Sequence, residues 1–228
     1  MNKKILVQFP TKGRTSKFFE TLDRYIAYAN NVDDITFHVV IDHFDYSMNN
    51  STTLNKLASY NNVKVSAIPE NPTKIKACNY NIKQFDGLFD ILVLASDDMI
   101  PQIKGWDDVI RMDMEKYYPN LDGCLWYNDG YRESNLCTLS ILGARYYKRF
   151  GYIYHPDYKT MWADNEYTIV AQKLNRITYI NNVIIKHEHP DNNTNIEKDD
   201  LYVSNDTASG SDSTIFNRRR LHNFGLNI

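Results

Sequence analysis

The chain alternates short apolar runs with amphipathic stretches, and that alternation predicts its elements. Runs at residues 5–9, 35–41, 63–68 and 91–95 read as strands. DILVLAS and ITFHVVID are apolar nearly throughout, which suits strands covered on both faces, as in a parallel sheet between helices. Residues 16–29, 51–60 and 74–85 carry apolar side chains at three-to-four spacing and predict helices, with Ser16 and Ser51 as N-caps. Strands and helices in this order describe an α/β domain rather than an all-β or bundle fold. Downstream the pattern is less regular: residues 124–127, 137–142 and 177–186 predict strands, and 144–150 and 164–174 predict helices. After Pro190 the sequence turns polar and predicts loop or tail, with a short helix near TIFNRRRLHNFG.

Length and charge narrow the class. A chain of 228 residues forms one domain, or one with a small appendage, and buries a core without staples. With 26 Lys+Arg against 28 Asp+Glu the net charge is −2, so no whole-chain basic field draws it to nucleic acid or membrane. Cys78, Cys124 and Cys137 have neither metal-site nor secretory spacing and predict reduced thiols in a cytoplasmic chain. No window is apolar for the ~20 residues of a membrane span.

In a parallel sheet the ligand lies beyond the carboxyl ends of the strands, so the residues there carry the candidate chemistry. The first strand runs into Pro10-Thr11-Lys12-Gly13-Arg14, an open loop with hydroxyl, ammonium and guanidinium groups but neither Walker-A nor dinucleotide glycine spacing. The second ends at Asp42, a carboxylate placed to accept from a ribose or base edge. After the third, KIKACN opens a helix whose N–H groups and lysines suit an anion or simply cap a surface helix. The fourth ends in Ser96-Asp97-Asp98. Adjacent carboxylates after a buried strand need compensation, either as a helix cap or by a hard divalent cation bridging to phosphates. Later, Asp164 and Glu166 stand at a predicted helix start, either for the macrodipole or as a general base. His187 and His189 alternate onto one face of a strand end, either as structural residues or as metal ligands.

Taken in order, FPTKGR, VVID, KIKACN and LASDDMIP resemble the strand-end motifs of metal-dependent GT-A glycosyltransferases, above all the family-2-like group. GARYYKRFGYIYHPDYKTMWADNEYT resembles that group's acceptor-side segment and HEHP its late metal-binding histidine, so the likeness spans residues 4–190. The resemblance implies the GT-A fold, a Rossmann-like nucleotide-diphospho-sugar transferase with a mixed sheet flanked by helices. It implies a catalytic domain at 1–190, with a nucleotide-binding half at 1–101 and an acceptor-side half at 102–190, followed by a polar tail at 191–228. It also implies that Pro10, Thr11, Arg14 and Asp42 contact the nucleoside, and that Lys76 and Asn79 lie near base or phosphates. Ser96 and Asp97 would meet ribose or sugar, and Asp98 and His189 would ligate Mn2+ or Mg2+. Asp164 would be the base, with Glu166 as its substitute. Ala95 stands where a common form of the family motif, LDSDD, has its first acid.

The implied reaction moves a sugar from a nucleoside-diphosphate donor, UDP first, to an acceptor hydroxyl with inversion. A nucleotidyltransferase and a degenerate nucleotide-sugar-binding module are the alternatives. A glycan, a small molecule or a modified DNA base is compatible as acceptor, and Arg218-Arg219-Arg220 reads as a solvated helix face.

Overall fold

The computed structural model describes residues 2–188 and 209–227. The strands are β1 (Ile5–Thr11), β2 (Ile35–Asp42), β3 (Val63–Ile68), β4 (Ile91–Leu94), β5 (Met99–Pro101), β6 (Cys124–Tyr127), β7 (Ile141–Gly143), β8 (Ile177–Ile180) and β9 (Ile185–His187). The α-helices are α1 (Thr15–Tyr28), α2 (Ser51–Ala58), α3 (Lys74–Asn79), α4 (Trp106–Tyr117), α5 (Ala144–Phe150), α6 (Ala163–Lys173) and α7 (Ser209–Leu221).

Seven strands form one sheet in the order β3-β2-β1-β4-β7-β6-β8. The first four are parallel, β7 runs antiparallel to both β4 and β6, and β8 is parallel to β6. Both faces are covered, which is why β4 is apolar throughout and β1 is apolar but for Gln8 and Thr11. Ile5, Val7 and Phe9 of β1, with Ile91 and Val93 of β4, join one core with α1 and α4. Leu6, Leu92 and Leu94 point the other way, into a second core with α3, α5, α6 and α7. On that second face Gln8 replaces an apolar residue. Its Oε1 lies 2.7 Å from His38 Nδ1, and its Nε2 donates to the Tyr80 carbonyl at 3.0 Å, tying α3 to the sheet.

Several expected elements change. The helix expected over 74–85 stops at Asn79 because Tyr80 is extended and Asn81 is left-handed, at φ 56°, before a 3-10 turn at Ile82–Phe85. The strand expected over 177–186 breaks at Asn181 and Asn182 into β8 and β9, which belong to different sheets. Of 137–142 only the end pairs, as β7. The caps also shift by a residue or two: Arg14 precedes α1, and the Asn50 side chain accepts from Thr53 N to cap α2. The N-capping role expected of Ser16 and Ser51 therefore falls to neither, since both lie inside their helices. The C-terminal helix starts earlier than its apolar residues suggest and buries Phe216, with Phe224 just beyond it. The three cysteines are buried free thiols. No helix among the described residues is long and apolar enough to cross a membrane.

Candidate active site

β1 lies between β2 and β4, so chain connections leave it in opposite directions and a crevice opens at the carboxyl ends of β1 and β4. A cleft of about 460 Å³ occupies this place. Pro10, Thr11, Lys12 and Arg14 reach it from β1, Asp42 from β2, Lys74 from α3, and Ser96, Asp97 and Asp98 from β4. His187 lies beside Asp98, and Lys159, Thr160 and Asp164 complete the lining.

The carboxylates are individually held. Asp42 accepts from Lys12 Nζ at 2.7 Å and from the Phe44 amide at 2.9 Å. Asp97 accepts from Arg14 at 3.2 Å. Burial, then the neighbouring Asp98, push the Asp97 carboxyl above its ordinary range against the pull of Arg14 and Lys17. For Asp98 burial also acts upward, but His187, the Ser96 hydroxyl that donates to it, and Lys74 outweigh it and hold the carboxyl well below the usual range. The site thus keeps one buried carboxylate firmly ionised beside one that resists ionisation.

His187 arrives through the small second sheet. β9 pairs antiparallel with β5, opposing His187 to Met99, and the Glu188 amide donates to the Asp98 carbonyl at 2.7 Å. This sets His187 Nε2 3.6 Å from Asp98 Oδ2, with Nδ1 4.0 Å from Asp129 Oδ2. Asp129 is buried and accepts from the Thr138 hydroxyl at 2.6 Å.

Asp164 sits in the first turn of α6, which follows Trp162 in a left-handed conformation at φ 65°. A non-glycine residue there costs about 1–3 kcal/mol and persists only where neighbours enforce it. Burial raises the Asp164 carboxyl, opposed by the charges of Lys74 and His187. A carboxylate raised in this way is a better base than an exposed one.

Not every expected residue reaches the cleft. Lys76 turns outward and pairs with Glu70 at 2.7 Å. Asn79 spans from α3 to the backbone of 153–154, donating to Tyr154 O at 2.6 Å and accepting from the Ile153 amide at 2.9 Å. Glu166 is buried against Arg219, accepting at 2.7 and 2.8 Å, and against the Tyr158 hydroxyl at 2.7 Å. Arg219 is therefore paired rather than part of a solvated face. His189 lies outside the described residues, as do Pro190 and the expected tail up to residue 208. Lys74, Lys159 and Thr138 line the cleft without having been singled out. Lys74 has a sequence signal, as the first residue of KIKACN. Lys159 and Thr138 have none.

Among the described residues no cluster of three or more His, Cys, Asp or Glu side chains is arranged to hold a metal ion. Asp98 and His187 still offer an ionised oxygen and an imidazole on one wall. That donor set fits a divalent cation that draws its remaining ligands from substrate phosphates.

No family model matches the sequence, and no curated protein matches it. Solved structures do. The mannosyltransferase PcManGT of Pyrobaculum calidifontis, in complex with GDP-Man and Mn2+, is similar at a TM-score of 0.64 and 14% identity, over 85% of this chain and 59% of that one. TarS 1-349 of S. aureus in complex with UDP is similar at a TM-score of 0.64 and 17% identity, over 80% and 59%. The chain thus spans about three fifths of the length of these structures. The parallel half-sheet, the antiparallel β7, the cleft at the switch point and these likenesses agree, and the chain has the GT-A fold of glycosyltransferases.

Proposed function

We propose that the chain is a glycosyltransferase that moves a sugar from a nucleoside diphosphate to an acceptor hydroxyl. The observation that carries this reading is the convergence of Asp97, Asp98, His187 and Asp164 on one cleft whose other walls bear Lys12, Arg14 and Lys74. Lys12 and Asp42 suit the polar edge of a nucleoside, and Arg14 and Asp97 suit its ribose or the donor sugar. Lys74 suits the diphosphate, the part of a donor that gains charge as the sugar departs. Asp98 and His187 would hold Mn2+ or Mg2+, with His189 as the further ligand the sequence suggests. Such a cation, when bound, neutralises charge on the leaving diphosphate.

Asp164 acts as the base. It accepts the acceptor hydroxyl's proton while that oxygen attacks the anomeric carbon from the face opposite the diphosphate, so configuration inverts. Glu166 keeps its contacts with Arg219 and Tyr158 and holds α6 in place. The molecules bound in the similar structures, GDP-Man in PcManGT and UDP in TarS 1-349, support a nucleoside-diphosphate sugar as donor, with a UDP-sugar as the first choice.

Incubating the protein with UDP-glucose, UDP-GlcNAc or GDP-mannose and MnCl2, and analysing the nucleotide released, tests the reading. Nucleoside diphosphate is the expected product. Pyrophosphate from a nucleoside triphosphate would instead mark nucleotidyl transfer, and binding without release would mark a module without turnover. Retention at the anomeric centre, read by NMR of the product, would remove Asp164 from the role of base.

A further inference from the structure

The C-terminal helix α7 grips the wall of the cleft through a single carboxylate. Asp212 is 0% exposed, and its oxygens accept from three consecutive backbone amides, Lys159 at 3.1 Å, Thr160 at 2.8 Å and Met161 at 2.9 Å. The same stretch is held from the other side, since the Lys159 carbonyl accepts from the Ile75 amide at 3.0 Å, next to Lys74. Residues 159–161 therefore run between α3 and α7, and Lys159 and Thr160 face the cleft.

Two further contacts lie on the same face of α7, at the four- and seven-residue spacing that brings side chains onto one stripe. Phe216 packs its ring 5.1 Å from that of Trp162, the left-handed residue that precedes α6. Arg219 clasps Glu166, two residues on from Asp164 in the first turn of α6. A strained residue between two anchored segments is what an imposed geometry looks like, and here it immediately precedes the helix that carries Asp164.

We propose that Asp212 is a positioning residue for transfer: by fixing the backbone of 159–161 it sets Trp162 and the start of α6, and so the place of Asp164 against the donor. The proposal rests on the glycosyltransferase reading for its catalytic consequence, though not for the backbone geometry. Asp212 is not among the residues that line the cleft. It acts through the chain that leads to Asp164.

The test compares the full chain with its Asp212→Asn variant, which preserves size but presents one acceptor oxygen in place of two. Hydrogen exchange across 157–166, UDP affinity with MnCl2, and the rate of UDP release from UDP-glucose are measured together, with GDP and GDP-mannose in parallel. Exchange at 159–161 is expected to rise and nucleotide affinity to stay within about threefold, while kcat falls about tenfold to hundredfold, the scale set by a misplaced reacting group. Arg219→Gln, which loosens the first turn of α6 through Glu166 rather than through 159–161, is expected to lower kcat in the same selective way, and Arg219→Lys to restore part of it. These variants carry the test if Asp212→Asn does not fold.

Unchanged exchange at 159–161 in Asp212→Asn would overturn the proposal whatever the protein turns over. A fall in affinity, kcat and melting temperature in step would overturn it too, because that is the pattern of simple structural support. Failure of the wild-type chain to release nucleotide from any of these donors would sink the glycosyltransferase reading instead. In that case loosened amides at both 159–161 and 163–166 uphold the positioning contact, and loosening at 159–161 alone overturns it.

Discussion

At the scale of single residues, the cleft separates groups of similar type by their surroundings. Asp98 is held ionised while burial raises Asp164, and the two carboxylates are thereby suited to different work. A base must be ionised to accept a proton. The rate should therefore fall as pH drops through the Asp164 pKa, with the acid limb of kcat/KM above the ordinary carboxylate range. Asp164→Asn should lower transfer by about a hundredfold to ten-thousandfold, the range for loss of a general base, with nucleotide affinity nearly intact. Loss of that affinity would argue against the role. Lys74 and Lys76 make a second contrast, because only Lys74 faces the cleft and Lys76 is spent on an exposed pair with Glu70. Lys74→Ala should weaken UDP binding by about tenfold or more, as loss of a charged hydrogen bond does. Lys76→Ala should change it little, because exposed pairs contribute about 1 kcal/mol or less. Calorimetric titration with UDP and MnCl2 separates the two.

Between elements, the polar row Gln8–His38–Ser66 across β1, β2 and β3 is where stability becomes sensitive to pH. His38 is fully buried, with Nδ1 2.7 Å from Gln8 Oε1 and Nε2 2.8 Å from Ser66 Oγ, and the Gln84 amide nitrogen is 3.2 Å from Nε2. Gln8 Oε1 can only accept, so Nδ1 carries the hydrogen and Nε2 receives. A second proton would be set against the Gln84 NH2 group. Burial lowers this imidazole from 6.5 to about 4. The unfolded chain then binds the proton more readily, so the contribution is complete above pH 6.5 and is lost as pH falls towards 4. Denaturant unfolding at pH 7 and at pH 4.5 should differ by about 2–3 kcal/mol from this residue alone. An equal difference in His38→Gln would show that other groups are responsible. Of the strands bearing this row, β1 and β2 were legible in the sequence because both their faces are covered and their residues are largely apolar in runs. α4 was not legible, because its buried face carries Asp107 and Arg111 along with Trp106, Ile110 and Met114. Those two charges pair with each other within the fold: Asp107 accepts from the amides of Asn30 and Asn31 at 2.9 and 3.0 Å, and from Arg111 at 2.5 Å. Asp212 gave no signal for the same reason: its partners are backbone amides, which leave no trace in the sequence. The strand-end acids could be read because function needs them at ends that the pattern itself locates.

For the whole molecule, a net charge of −2 conceals a separation of charge into the cleft, where Lys12, Arg14, Lys74 and Lys159 face Asp42, Asp97, Asp98 and Asp164. A nucleoside diphosphate alone would meet both the cations and the ionised Asp98, so part of its attraction is cancelled. A divalent cation between Asp98 and the diphosphate turns that repulsion into a bridge, and binding of the two should be mutually dependent. A ligand at a hundredfold excess over its Kd stabilises the native state by about 2.7 kcal/mol. In a domain of this size that corresponds to a rise in melting temperature of about 5–10 °C. UDP with MnCl2 should produce such a rise, and UDP or MnCl2 alone should produce much less. Asp98→Asn should abolish the difference that MnCl2 makes while the unliganded protein still melts cooperatively, at a somewhat lower temperature, since the change is nearly isosteric but gives up the charged contacts of Asp98 with Ser96 and His187. Equal shifts with and without MnCl2 would take Asp98 and His187 out of metal binding and leave the cationic wall as the diphosphate site. No shift with UDP or GDP under any condition, for a cooperatively folded sample, would mean that the fold is present without its donor site.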